Sequence, residues 1–477
     1  MKIVISFCFF IILLANNLYA QRVLTLNDAL SIAMNKGYSI QSARYKLESS
    51  QKNLEAIRLG MRSSVDIMFD IPNYTRSLSS QFNPITGSEQ FYTIGSTRLE
   101  SRLFINQPLI FSNGNISLIG SIFGRDQFSQ ISGDQRDYYT NLSIQFTQPL
   151  FVFNNQKANL EKAEINLGQS KRAYSYAERD IIYNVTSGFY NLHKAEKQVG
   201  IANEKVKQTE SSYETASNKF KAGLIAEVEA LQLEVDLSSS KNEALFAERN
   251  YEEAKNNFKL LIGLSLDENI SVSAYFEYLG VEVDLDEAIN SAIKNRPDLL
   301  NAEDNIYLSK LDVEEVDSRR TLRLDLRAIY GVNNNEGNFN TLFNNYYDNR
   351  SVVMSLSVPV LDWGRNAREV EAAEIDGQET VLSYNNLKDR IKTEVIKSFG
   401  RLNTSKARVN VLSKSVEVAE KSYSISLERF KAGTITSFDL QQSQNRLTDA
   451  KLNSLGALID YKIALADLER ITFNEYH

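Results

Sequence analysis

The sequence predicts a mixed α+β fold made of two like halves, each with a strand-rich segment followed by a very long coiled-coil helical hairpin. Three observations predict it. Blocks of residues recur in the same order along the 477-residue chain. Apolar residues recur at every seventh position over two long stretches. Between the helices, polar and apolar residues alternate with period two.

The repeat comes first because it organises the rest. Leu26-Asn-Asp-Ala-Leu-Ser-Ile-Ala-Met-Asn35 aligns with Leu285-Asp-Glu-Ala-Ile-Asn-Ser-Ala-Ile-Lys294. Gln148-Pro-Leu-Phe151 aligns with Val358-Pro-Val-Leu361, and Ser212 to Gly223 aligns with Ser422 to Gly433. The last two matches share an offset of 210 residues. The first is offset by 259, so the first half carries about 49 additional residues before its Pro motif. Units of this length are not solenoid repeats; they are duplicated half-proteins. The first repeat is read as residues 21–281 and the second as 282–477. Each predicts an opening helix (about 26–62 and 285–320) and strands (about 64–152 and 322–361). Each then predicts a long helix (about 156–221 and 365–431), an Ala-Gly break and a returning helix (about 226–261 and 436–471).

The long helices carry heptads. Val185, Leu192, Val199, Val206, Tyr213 and Phe220 form one row, with Gly188, Ala195, Ala202, Thr209 and Ala216 three residues on. Val395, Leu402, Val409, Val416, Tyr423 and Phe430 repeat the scheme. A strict seven-residue repeat keeps one seam against a partner and imposes left-handed supercoiling. About 67 residues at 1.5 Å each span roughly 100 Å. None of the six prolines falls in these helices or their return helices, where proline would remove a hydrogen bond and clash with the preceding turn.

The strand segments alternate: Arg323 to Tyr330, Ser351 to Val358 and Asn141 to Thr147 each present one apolar and one polar face. Their lengths approach what a tilted strand needs to cross a bilayer. Tyr138, Tyr139, Tyr346, Tyr347 and Trp363 fall near strand ends, where an interfacial aromatic girdle would lie. A further hairpin, Leu103–Leu109 with Asn115–Phe123 about a Ser112-Asn-Gly114 turn, can add strands to this segment, lengthen it or lie outside it. A β-sandwich with aromatic turns is the other reading of the same alternation.

Residues 1–20 read as a signal peptide: Lys2, the apolar run Ile3 to Leu14, then small and polar residues to Ala20. The alternative is an N-terminal membrane helix. Cys8, the single cysteine, lies in the apolar run, and Gln21 follows the cut, so neither disulfides nor a lipid-bearing cysteine is expected. With 53 basic against 60 acidic residues, nothing favours nucleic acid as a partner. Two histidines, His193 and His477, cannot build a His-based triad or a zinc site, and no phosphate loop follows a strand. No catalytic residue, metal site or cofactor is expected. His193, next to the heptad residue Leu192, reads as a helix-surface residue.

Several motifs now stand in order, twice over: the opening Leu26-x-Asp-Ala-Leu and Leu285-x-Glu-Ala-Ile, Asn295-x-Pro-Asp-Leu299, Gln148-Pro-Leu-Phe151, Val358-Pro-Val-Leu-Asp-Trp-Gly364, and Arg429-Phe-Lys-Ala-Gly433 before Ser437-Phe-Asp439. The sequence resembles the TolC family of outer-membrane efflux proteins over essentially all of the chain after residue 20. The resemblance implies an outer-membrane β-barrel with about four strands per chain, twelve in a homotrimer, continued by a long α-helical barrel through the periplasm. It implies a passive channel of a tripartite efflux pump or type I secretion system, surrounded by outer-membrane lipid. An inner-membrane pump and a periplasmic adaptor (membrane-fusion) protein would be its partners. Lys221, Ala222 and Gly223, with Lys431, Ala432 and Gly433, would be the periplasmic tips where the adaptor docks. Asp439 matches the position where an acidic ring narrows the tunnel entrance. Gln442 stands at that pattern's second acidic position, and Glu229 and Gln232 are the first-half equivalents.

On the residues alone, other readings stay open. Each Ala-Gly is also a plain helix cap, and Asp439 is also a helix-start acid favoured by the dipole. A secreted coiled-coil scaffold with a small β-domain, or an autonomous porin, would carry much of the same pattern.

Overall fold

A computed structural model describes residues 22–130, 133–273 and 280–476. The expected signal peptide lies outside the described residues. The chain divides into two compact units. One comprises the chain up to Leu47, Ser170–Asn301 and Tyr384 to the C-terminal end; the other comprises Glu48–Gln169 and Ala302–Ser383.

In chain order the elements are β1 (Arg22–Leu24), α1 (Leu26–Lys36), α2 (Tyr38–Gly60), β2 (Ser64–Asn83), β3 (Ser88–Leu109), β4 (Gly114–Ser129), β5 (Gly133–Leu150), α3 (Asn155–Lys221), α4 (Glu227–Ile262), β6 (Ile270–Val272), α5 (Leu285–Asn295), α6 (Pro297–Asp317), β7 (Arg323–Glu336), β8 (Tyr347–Ser357), α7 (Arg365–Lys431) and α8 (Ser437–Thr472). The helices α3 and α7 have 67 residues each, and α4 and α8 have 36 each. Every boundary of the second pair is that of the first shifted by 210 residues.

In the helical unit the duplication extends to the packing. Ala29, Ala33 and Ile40 pack with Val185, Phe189 and Leu192 in one core. Their counterparts Ala288, Ala292 and Leu299 pack with Val395 and Leu402 in a second. Local chemistry starts the short helices: Thr25 Oγ1 accepts from Asp28 N–H at 3.2 Å while Thr25 N–H donates to the Asp28 carboxylate at 3.0 Å. Asp284 caps α5 by accepting from Glu287 N–H at 2.8 Å. Within the first core, a small residue of the heptad scheme lets helices close up. A Cβ added at Gly188 would meet Leu261 at 2.9 Å and Phe258 at 3.1 Å. The heptad row is buried at Val185, Leu192, Val395, Leu402, Tyr423 and Phe430, whereas Phe220 is 40% exposed.

His193 is a correction. It is 4% exposed, not on the helix surface. Burial, with Lys197 nearby, lowers its imidazole pKa to about 4 from an ordinary 6.5. The folded state therefore holds it neutral while the unfolded chain takes up a proton below about 6.5. Its contribution to stability is complete above that pH and is lost as pH falls toward 4. Thermal unfolding of the purified protein at pH 7 and pH 4.5 is expected to show this loss. His193→Leu should flatten that part of the curve, and an unchanged slope would refute the assignment.

The second unit is built on one antiparallel sheet of six strands in the order β2-β3-β4-β5-β7-β8. This corrects the expected four strands. The Leu103–Leu109 and Asn115–Phe123 segments are not an excursion from the sheet; they are parts of full-length strands bonded on both sides. Leu103 pairs with Ile67 on one side and Gly120 on the other. The one irregularity is a register shift between Asp70 and Asn73 on the edge strand β2. Pro72, which cannot donate to a ladder, sits within it.

Candidate functional site: a two-faced sheet and two hairpin tips

Directly paired residues in an antiparallel sheet point to the same side, so the register assigns every strand residue to a face. One face takes Val65 and Ile67 of β2, Leu103 and Ile105 of β3, Leu118 of β4, Ile144 of β5, Ala328 and Tyr330 of β7 and Val352 of β8, with Arg350 opposite Tyr330 on the β8 edge. Many of these apolar side chains are exposed: Ile67 is 61%, Ile144 52%, Val352 73% and Met354 64% accessible. On β5 the band runs from Phe146 to Tyr138, beyond which Arg136 pairs with Asp126. That is the length a tilted strand spends in hydrocarbon. An apolar surface continuous over six strands exceeds the scattered exposure of ordinary proteins and marks a surface that meets lipid or another protein.

The opposite face is polar. Asn115 Nδ2 donates to Asn106 Oδ1 at 2.5 Å, and Ser117 Oγ donates to the same oxygen at 3.0 Å. Arg102 donates to Asp70 at 2.7 Å, and Arg125 grips both oxygens of Asp137 at 3.0 Å. Arg98 lies 3.9 Å over the Phe123 ring, which stacks on Tyr139. Charges of both signs lie here and most are paired, so the face is hydrophilic without a dominant sign. The aromatic residues expected as a girdle divide. Tyr138 lies on the apolar face, but Tyr139 and Tyr347 lie on the polar one. Trp363, 91% exposed, stands in the turn before α7.

The two Ala-Gly turns are built alike. Gly223 N–H bonds Phe220 C=O at 2.8 Å and Leu224 N–H bonds Lys219 C=O at 2.9 Å. Gly433 N–H bonds Phe430 C=O at 3.0 Å and Thr434 N–H bonds Arg429 C=O at 2.9 Å. Both glycines hold left-handed φ, +70° and +76°. Each turn is a Schellman motif that satisfies the last carbonyls and reverses the chain. Lys221, Ala222, Gly223, Lys431, Ala432 and Gly433 are all exposed. The structure brings the two tips together. The Lys219 ammonium donates to Phe430 C=O and lies 4.8 Å from that ring's centre. Ala216, Leu233, Tyr423, Phe430 and Leu440 share one core. A polar layer follows, in which Gln444 donates to Thr209 at 2.9 Å.

Asp439 is exposed, and its carboxylate closes a capping box on α8. It accepts from Thr436 Oγ1 at 2.8 Å and Thr436 N–H at 3.2 Å, which holds its pKa below the usual carboxylate range. Gln442 and Gln232 are exposed, and Glu229 is half-buried. Lys219 was not singled out in the sequence, because nothing local marks a lysine whose acceptor lies on the other hairpin. Nor was Gln107, although the Gln-Pro-Leu it opens at 107–109 repeats the one at 148–150.

Among the described residues, no group of three metal-ligating side chains is placed to hold a metal ion, and no helix is long and apolar enough to cross a membrane.

The sequence pattern of outer membrane efflux proteins matches residues 118–264 and 288–472. The chain belongs to that family. The two matched stretches fall on the two halves of the repeat, and the TolC-type resemblance and the outer-membrane location follow from membership. Curated relatives are distant. Nodulation protein T of Rhizobium leguminosarum bv. trifolii is 22% identical over 63% of this chain and 64% of its own length. The cation efflux system protein CusC of Escherichia coli K12 is 21% identical over 58% of each chain. The chain thus spans a little under two thirds of the relatives it matches. Similarity of fold reaches further. A crystal structure of CusC superposes with a TM-score of 0.71 at 14% identity, over 94% of this chain and 92% of that one. The Campylobacter jejuni CmeC outer membrane channel gives 0.71 at 15% identity, over 95% and 86%. The efflux-protein family match begins inside β4, so the β2–β3 hairpin lies before it.

Proposed function

We propose that this outer membrane efflux protein is the passive outer-membrane channel of an export assembly, either a tripartite efflux pump or a type I secretion system. Three copies close their sheets into one barrel, and their helical hairpins line a periplasmic tunnel. An adaptor protein engages the tips at Gly223 and Gly433, and an inner-membrane transporter supplies the cargo and the energy. Asp439 and Glu229, with Gln442 and Gln232, lie near the tips, where the tunnel entrance would be.

The observation that carries this reading is the two-faced sheet. An open sheet with an apolar face cannot rest in lipid while its edge strands, β2 and β8, leave backbone groups unpaired. Closure with sister copies satisfies those edges and leaves a polar lumen. The helical unit asks for the same partners. Val411, Val418 and Ile425, spaced by sevens on α7, are 52–69% exposed, and Val228, Leu231 and Val235 of α4 are 52–68% exposed. A secreted scaffold has no use for a lipid-facing band.

The purified protein should migrate as a trimer in detergent and produce discrete conductance steps in a planar bilayer. A monomer without conductance would refute the channel. Conductance with export that needs no adaptor would favour an autonomous porin.

A further inference from the structure

The first half of the chain contains not one membrane hairpin but two copies of the same one. The register shows it. Ser64 pairs with Asn106 at the foot of β2–β3, and Gln107-Pro108-Leu109 follows. Asn115 pairs with Thr147 at the foot of β4–β5, and Gln148-Pro149-Leu150 follows. In the second half Arg323 pairs with Ser357, and Val358-Pro359-Val360 follows. The three feet are equivalent.

Side chains repeat the match in the first two. Gln107 Nε2 donates to Pro108 C=O at 2.7 Å and to Met61 C=O, three residues before Ser64, at 3.2 Å. Gln148 Nε2 donates to Pro149 C=O at 2.8 Å and to Ser112 C=O, three residues before Asn115, at 2.6 Å. The turn that joins the copies is built in. Asn154 Nδ2 donates to Ile110 C=O at 2.7 Å, and Gln156 Nε2 donates to Gly114 C=O at 3.2 Å. The β3–β4 ladder runs unbroken from Ile94↔Ser129 to Leu109↔Gly114, and the apolar face continues across it.

We infer that the wall of this channel is built from eighteen strands, six per chain, and that the tandem hairpin widens it to pass bulkier polar cargo than a twelve-stranded wall admits. The inference rests on the trimeric channel reading above. Barrel diameter grows roughly linearly with strand number. Strands about 4.8 Å apart and tilted by about 40° give a backbone diameter of about 36 Å for eighteen strands against about 24 Å for twelve. The cross-section is then about twofold larger. The lumen offers serine, asparagine and paired charges, so the chemistry suits large hydrophilic solutes rather than apolar ones.

Cysteine pairs test the closure. Ile67→Cys on β2, combined in turn with Val352→Cys, Met354→Cys or Leu356→Cys on β8, should give covalent trimers in the membrane under mild oxidation. Leu118→Cys on β4, combined with the same β8 changes, should not. Trimers from the β4 series would overturn the eighteen-stranded wall and leave the channel intact, since β2–β3 would then lie outside it. No crosslink in either series, with a monomeric mass, would overturn the channel reading as well. Polyethylene glycols of graded size, added to the barrel side during conductance recording, give an independent measure. The wild type should admit polymers about 1.5-fold wider than a variant lacking residues 110–150, in which Leu109 joins Phe151 and restores a Gln-Pro-Leu-Phe foot. If that variant does not assemble, a wild-type cut-off matching a twelve-stranded bore overturns the proposal by itself.

Discussion

Ile144→Arg will stop the protein from assembling in the outer membrane, while Gln145→Arg, one residue along the same strand, will not. Ile144 lies in the middle of the apolar face, 52% exposed, opposite Leu118 and Tyr330. An arginine at the midplane of a lipid face costs about 2–4 kcal/mol per copy. In a trimer that cost is met three times, which is comparable with the whole stability of an ordinary domain. Gln145 points to the polar side, level with Ser117 and Ile329, and there a guanidinium meets water and neighbouring carbonyls. The comparison holds strand, depth and added charge constant and changes only the face. Outer-membrane fractionation and the yield of detergent-stable trimer read the result. Equal yields for the two variants would mean that the apolar face does not meet lipid.

How much of this was legible beforehand depended on whether the signal was local. Heptads are local: a row such as Val395, Leu402 and Val409 can be read without knowing its partner, because the period alone fixes the buried seam. The order of elements was legible because it occurs twice. The number of strands was not. Along β2 the alternation breaks at the Asp70/Asn73 irregularity, and Ser77 to Gln81 is mostly polar, so the period that marks a strand is lost along it. A hairpin that copies its neighbour also leaves no change of composition at the joint. The repeated Gln-Pro-Leu foot was the available clue. Tyr139 and Tyr347 were assigned to a girdle by position along a strand, but the face depends on register, which no single strand reveals. His193 shows the same limit in a helix, since its burial is set by packing that its own helix does not display.

The tip variants carry the second large effect. Gly433→Val should abolish export while leaving membrane assembly and conductance unchanged. At φ +76° a residue with a Cβ is strained, by roughly 1–2 kcal/mol in general and more for a β-branched one. No crowding adds to this, because an added Cβ would meet only the far end of Lys219 at 3.9 Å. The strain instead opposes the two bonds that close the turn, from Gly433 N–H and Thr434 N–H, and loosens the Phe430 carbonyl that Lys219 holds. The capping box of Thr436 and Asp439 sits at the other end of the same turn, so the entry angle of α8 changes with it. Gly223→Val should act in the same direction. Because Lys219 ties the first tip to the second, the double variant should fall short of the sum of the singles. Gly433→Asn, a residue that tolerates the left-handed region, should retain most export. The strand-bearing unit contains neither tip, so loss of both assembly and export together would point to general destabilisation. Normal export from Gly433→Val, with the protein assembled, would mean that the tips are helix caps and nothing docks on them.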